Sequence, residues 1–290
     1  PLPLHDALPL PPGKIAHVVA DVAGFGGIMK DAATGFFAKR DMDMAALAGP
    51  VRRPFRHECG HQSVFLRHGF CKGLEQSRLV GGIVFSLGLI LVVVGGAERF
   101  TGNNLCVMAW ADRKISGRQL LRSWTIVFVG NFVGASAIAV LIVLSGTFDL
   151  ADGGVGQTAV SMAEAKLDLT ETEAFFRGIL CNILVCLAIW LCYAARSVTD
   201  KIFAVMLPIA AFVGLGFEHS VANMYFIPAG LLLSADPQIM ALLDPATDLT
   251  QLTVKGLLLN NLLPVTIGNI IGGGFFVAIV YWFVYLRRKK

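Results

Sequence analysis

Long apolar runs separated by short polar loops set the pattern of this chain. Runs long enough to cross a hydrocarbon core of roughly 30 Å begin near Leu79, Trp124, Phe175, Ile202 and Leu257, and each closes on a polar or charged loop. Five membrane-spanning helices are therefore predicted. None of them reads as a cleavable signal peptide, because the opening stretch PLPLHDALPLPPGK lacks a basic region followed by an apolar one.

Composition agrees with this pattern. Hydrophobic residues make up 55% of the 290 residues, charged residues 15%, and the mean hydropathy is +0.67, more apolar surface than a soluble domain can cover. The six cysteines form no CxxC pair, and Cys181, Cys186 and Cys192 lie inside one apolar run. Thiols there behave as small hydrophobes, which argues against a disulfide framework. The net charge of +4 sits mostly at the ends of the runs, which fits membrane orientation and gives no reason to expect a nucleic-acid partner.

Charge also predicts orientation. The loop from Asp112 to Arg122, the link from Arg196 to Lys201 and the tail Arg287-Arg288-Lys289-Lys290 are basic and are expected on the cytoplasmic side. The acidic loops 147–173 and 234–255 are expected outside. Five spans ending in a cytoplasmic C-terminus then place residues 1–78 outside, although that stretch carries Lys14, Lys30, Lys39, Arg40, Arg52, Arg53, Arg56, Arg67, Lys72 and Arg78. A sixth span between about 40 and 75 removes the conflict and brings both termini to the cytoplasm. The residues there do not suit one, since each Arg costs about 2.5–3.5 kcal/mol at the centre of a lipid-facing helix. Residues 31–78 thus read as an anomalous segment at the place of a first span. A run translated out of frame accounts for it, because a one-base shift after Gly49, with suitable codons, gives an apolar stretch; resequencing that finds no compensating pair of indels would end the idea.

The anomalous segment contains HECGH, residues 57–61, in the His-Glu-x-x-His spacing of zinc peptidases, with two imidazoles one turn apart and a Glu to activate water. Against that reading, Pro54 and Gly60 interrupt the helix the motif needs, and no nearby acidic motif supplies a third ligand. No metal and no cofactor is expected.

Two interruptions in the apolar runs echo each other. GAERFTGNN ends at Asn104 and GFEHSVANM covers 216–224; aligned at Gly96 and Gly216, they match at Glu98 and Glu218 and again at Asn103 and Asn223. The following runs match at Gly130-Asn131-x-x-Gly134 and Gly268-Asn269-x-x-Gly272. A duplication with three spans per copy predicts two halves of opposite orientation, an arrangement in which broken helices near the midplane line a substrate path. Helix N-termini at that depth favour an anion. Gly268 and Gly272 read more simply as close helix packing, whereas Glu218 and His219, ionisable and inside a span, mark a pathway.

These residues resemble the formate/nitrite transporter family, and its formate channels in particular. The resemblance rests on RLVGGIVFSLGLILVVVGGAERFTGNN, FFRGILCNILVCLAIW, LPIAAFVGLGFEHSVANMYFIPAG and NLLPVTIGNIIGGG, and covers about 79–288. It extends to the start of the chain, where Ile15, Val18, Val19, Val22 and Phe25 give one apolar face to what in the family is a helix on the cytoplasmic surface. The resemblance implies an all-α integral membrane fold, an aquaporin-like protomer of six spans with an inverted repeat and two interrupted helices, assembled as a homopentamer in the inner membrane. Residues 1–30 would form the surface helix and 79–290 the channel domain, the whole being a single domain. By position, the central histidine of the family falls on His219, its loop threonine on Thr101, the pore asparagine on Asn182 and the polar residue of the last span on Asn269. Phe85, Leu89 and Phe212 match apolar constriction residues, and Lys166 matches a basic residue that draws anions inward. Arg99 stands where the family usually has Leu; it either snorkels to the aqueous side or adds a fixed positive charge to the path.

A mechanism follows from these residue types. A bare anion entering an apolar constriction loses far more solvation than its neutral acid does, so Phe85, Leu89 and Phe212 exclude hydrated ions. An imidazole titrates near physiological pH and can protonate the anion or hold it as a charged pair, with Thr101 orienting the ring, Asn182 and Asn269 replacing lost water and Glu218 bracing the loop. The expected function is a pH-dependent, proton-linked channel for formate and similar small weak-acid anions. Nitrite or hydrosulfide transport on the same fold is the alternative, and a zinc peptidase using His57, Glu58 and His61 a distant one.

Overall fold

A computed structural model describes residues 74–245 and 247–287. The amphipathic segment at 1–30, HECGH, and all of the anomalous segment before residue 74 lie outside the described residues. Regular structure among the described residues is helical: α1 (Leu74–Gly95), α2 (Phe100–Ala111), α3 (Gly117–Leu144), α4 (Gly154–Leu167), α5 (Glu171–Ala194), α6 (Val198–Gly214), α7 (Ser220–Leu233) and α8 (Gly256–Leu286). By length and composition, α3, α5 and α8 are each able to cross a membrane unaided. All five predicted runs are helical, and both predicted interruptions are breaks: α1 stops before α2, and α6 stops before α7.

The described residues fall into two compact units, 74–97 with 188–215, and 98–187 with 216–287. In the first, α1 and α6 pack side by side. Contact is close because Gly82 lies against Ala210, where an added Cβ would come within 2.8 Å of the Ala210 Cα. Phe85 and Phe212 meet edge to face with ring centroids 5.9 Å apart, and Leu89, Val205, Ile209 and Phe212 are buried. A reciprocal cap opens α6: the Ser197 N–H donates to Asp200 Oδ2 at 3.0 Å and the Asp200 N–H to Ser197 Oγ at 3.1 Å. At the end of α1, Gly96 takes φ +73°, a conformation that favours glycine. The chain there closes with the Ala97 N–H donating to the Val92 carbonyl at 3.0 Å, the six-to-one bond of a Schellman turn.

In the second unit, α7 packs against α3 and α4 around a core of Ala139, Val160, Ala163, Met224, Ile227 and Leu233. α8 is wound partly in wider, i→i+5 turns and lies backbone to backbone on α5. Gly268 faces the Phe175 carbonyl, Gly272 faces that of Ile179, and Gly178 on α5 returns the approach against Val265. These glycines pack helices, as expected for small residues at this spacing. The four described cysteines are free thiols.

Candidate functional site

Both breaks are built alike. After each, one residue in extended conformation precedes a new helix: Arg99 at φ −129°, ψ 130° before α2, and His219 at φ −119°, ψ 112° before α7. The first amide of each new helix has no partner within the helix, and an asparagine from a neighbouring helix supplies one. Asn131 Oδ1 on α3 accepts the Phe100 N–H at 2.9 Å, while Asn131 Nδ2 donates to the Glu98 carbonyl at 3.3 Å. Asn269 on α8 repeats this, accepting the Ser220 N–H at 3.0 Å and donating to the Glu218 carbonyl at 3.1 Å. Asn103 and Asn223, each five residues beyond its glutamate, donate to the glutamate Oε2 at 3.0 and 2.6 Å. The matches read from sequence therefore correspond to matching hydrogen bonds, which supports a duplicated unit.

At their capping residues the two copies differ. The His219 Nδ1 accepts the Ala222 N–H at 3.1 Å and so caps α7. Its Nε2 lies 3.0 Å from Thr101 Oγ1. With Nδ1 acting as acceptor, the neutral ring carries its proton on Nε2 and donates it to the hydroxyl. The ring is thus held at both nitrogens, in a site where His219 is 2% and Thr101 0% exposed. Arg99 makes no side-chain cap.

The other sequence-predicted residues surround this pair. Asn182 Nδ2 donates to the Thr101 carbonyl at 3.2 Å and to the Asn269 carbonyl at 2.6 Å, and its Oδ1 has no partner among the described residues. Asn269 Nδ2 donates both to Glu218 and to the Gly178 carbonyl at 2.7 Å. The amide hydrogens expected to replace substrate water are thus directed at backbone carbonyls, and the group Asn182 leaves open is an acceptor. Glu218, expected to brace the loop, is engaged throughout: Oε2 takes Asn223, Oε1 takes Lys166 Nζ at 3.0 Å, and its own N–H donates to the Arg177 carbonyl at 3.3 Å. Lys166, expected to attract anions, is engaged with Glu218 and lies 5.6 Å from the Phe226 ring centroid, its side chain 16% exposed. Phe85, Leu89 and Phe212 belong to the first unit described above. Among the described residues no cluster of histidine, cysteine and carboxylate side chains could hold a metal ion.

Sequence reasoning did not single out three contributors. Asn131 stood in the Gly-Asn-x-x-Gly match, but its role as an amide cap was not evident. Asn261 receives Asn223 Nδ2 at 2.6 Å and donates to the Lys166 carbonyl at 2.9 Å. An asparagine inside the apolar run LLLNNLLP was the available signal, since a polar group there requires a partner. Cys186 completes the set, its Sγ lying 3.5 Å from the Thr101 carbonyl.

Comparison with known proteins gives this geometry its context. Formate channel FocA of Escherichia coli strain K12 is 47% identical over 216 residues, covering 73% of this chain and 76% of that protein. A probable formate transporter of Methanothermobacter thermautotrophicus is 34% identical over 296 residues, covering 96% of this chain and 91% of that protein. Among solved structures, a pentameric formate channel with formate bound matches at 40% identity and a TM-score of 0.68, over 74% of this chain and 86% of that one. These relatives are channels and transporters, and the apolar helices agree with a multi-pass membrane protein. Residues 60–283 match the formate/nitrite transporter family, and the chain belongs to that family.

Proposed function

We propose that this protein is a channel for formate and related small monovalent weak-acid anions, with flux that depends on pH and is linked to protons through His219. The observation that carries the reading is the doubly held imidazole. Nδ1 is committed to the Ala222 amide, so Nε2, shared with the Thr101 hydroxyl, is the atom whose proton can move. A conjugate base reaching this point takes that proton from the imidazolium, the ring having first gained a proton at Nδ1 and being left neutral by the transfer, and continues as a neutral acid, which crosses apolar surroundings at far lower cost than the anion. Adding a second proton at Nδ1 displaces the Ala222 N–H, which couples ring charge to the cap of α7.

Thr101 orients the ring and relays the proton, and Asn182 and Asn269 fix the loops that carry Thr101 and His219. Phe85, Leu89 and Phe212 form the apolar constriction. A sixth span, a homopentameric assembly, an inner-membrane location and cytoplasmic termini complete the reading, supported by the likeness to the pentameric formate channel.

The test is uptake into proteoliposomes of formate, nitrite and hydrosulfide across a pH series, for the wild type and His219→Gln. Expected is a preference for formate, and loss of pH dependence in the variant. Unchanged pH dependence and selectivity in His219→Gln would refute the role assigned to the ring, and faster nitrite or hydrosulfide uptake would reassign the substrate.

A further inference from the structure

The two copies of the repeat are unequal at one position. His219 and Arg99 occupy the same place in their units, an extended residue before a helix whose first amide is capped from a neighbouring asparagine. The imidazole has an acceptor nitrogen and uses it on the helix. A guanidinium has five N–H donors and no acceptor, so Arg99 is unable to cap α2 and requires acceptors of its own. Among the described residues none reaches it: the Arg99 carbonyl accepts the Asn103 N–H at 3.0 Å, but the guanidinium has neither a hydrogen bond nor an ion pair, although the residue is only partly exposed.

The nearby acidic groups are engaged elsewhere. Glu98, its chain neighbour, accepts Asn103 Nδ2, and Glu218 is taken by Lys166 and Asn223. Among the other titratable groups, His219 and the Cys181 thiol on α5 interact electrostatically with Arg99. The charges of Arg99 and Lys166 are both felt at the His219 ring, and Thr101, two residues beyond Arg99, is bonded to that ring. A donor-only cation without an acceptor among the described residues, beside the N-terminal end of α2 and in electrostatic contact with the central histidine, has the chemistry of an anion site.

We infer that Arg99 is a second substrate-holding residue: its guanidinium fork binds the permeating carboxylate in ionised form, at the repeat position corresponding to His219. The inference rests on the channel reading above and assigns it a specificity-determining charge. Both oxygens of a small carboxylate match the fork in a bidentate manner, which a lysine ammonium cannot reproduce. The consequence is a path in which the anion is concentrated at Arg99 whatever the protonation state of His219, so that flux survives at a pH where the neutral acid is scarce.

The experiment compares wild type, Arg99→Gln and Arg99→Lys in proteoliposomes, measuring the formate KM from pH 5 to 8 and the formate-over-sodium permeability ratio from reversal potentials in planar bilayers. Expected for Arg99→Gln is a KM at least tenfold higher at pH 7.5, a gap that narrows at pH 5, and a permeability ratio reduced at least fivefold. Arg99→Lys should recover the permeability ratio and only part of the KM. As a readout needing no variant, formate should slow phenylglyoxal modification of Arg99 in the wild type at least threefold while leaving Arg118 unaffected, followed by peptide mass spectrometry. A KM within twofold of wild type with an unchanged permeability ratio in Arg99→Gln overturns the inference and leaves the channel reading intact. If the variants do not fold, absence of formate protection at Arg99 overturns it. A wild-type protein that moves no formate overturns the channel reading itself.

Discussion

Asn269→Ala offers the sharpest test of how the histidine loop is held. The side chain is fully buried and makes three hydrogen bonds: it accepts from the Ser220 N–H at 3.0 Å and donates to the carbonyls of Gly178 and Glu218 at 2.7 and 3.1 Å. Truncation leaves the Ser220 N–H and the Glu218 carbonyl without partners in a site closed to water, while the Gly178 carbonyl, inside α5, keeps its helical bond. Each buried group left unsatisfied costs about 1–3 kcal/mol, so the total should be about 2–6 kcal/mol. Its counterpart in the other copy supplies an internal control. Asn131 makes two such bonds, at 2.9 and 3.3 Å, the second a weak one, and is only half-buried; Asn131→Ala should cost less, about 1–2 kcal/mol. The assay is unfolding of the detergent-purified variants followed by tryptophan fluorescence, with formate uptake measured on the folded fraction. Asn269→Asp separates the parts, because it keeps an acceptor for Ser220 and turns carboxylate oxygens on two carbonyls; it should be no more stable than the alanine variant. Stability of Asn269→Ala within 0.5 kcal/mol of wild type, or a larger loss in Asn131→Ala, would refute the account of the loops as capped from neighbouring helices.

Three further outcomes are expected. Lys166→Met leaves the Glu218 carboxylate with Asn223 as its remaining side-chain partner and should destabilise by about 3–5 kcal/mol, the cost of breaking a buried ion pair; adding Glu218→Gln should restore a good part of it in a double-mutant cycle of unfolding energies. Gly268→Ala pushes a methyl group onto the α5 backbone at the Phe175 carbonyl and should cost about 1–3 kcal/mol as an overpacked contact, read in the same unfolding assay. Glu164, on α4 outside the spans, is held above the usual carboxylate range by burial first and then by the charges of Asp168 and Asp248. A raised carboxyl pKa contributes stability that is complete below the unfolded value and lost as pH rises through the folded one, so Glu164→Gln should gain over wild type at pH 7 and match it at pH 4. Melting temperatures at the two pH values decide the point.

Much of this was legible beforehand. Apolar runs of sufficient length gave the helices, and Gly96, Gly216, Glu98 and Glu218 gave the breaks, because a glycine next to a carboxylate inside an apolar run is poorly suited to continuous lipid-facing helix. The repeat was legible too, down to Asn103 and Asn223, since duplicated units keep the spacing of polar groups that bond within one turn. Lys166 was not legible in the same way. Its position suggested a lure for anions, yet it is paired with a carboxylate 52 residues further along the chain, and nothing local encodes that pairing. Nor did spacing show that Asn182 and Asn269 turn their amide hydrogens toward backbone carbonyls.

The sequence by itself determined which segments enter the membrane and where they are interrupted, because the transfer of a side chain or an unpaired backbone group into hydrocarbon is a local cost, fixed residue by residue. Only the tertiary structure decided which donor meets which acceptor at the interruptions: that the caps of α2 and α7 come from α3 and α8, that the His219 ring is bonded at both nitrogens, and that the Arg99 fork has no acceptor among the described residues. Hydrogen bonds act over about 3 Å, and those distances between remote segments exist only after the helices have packed.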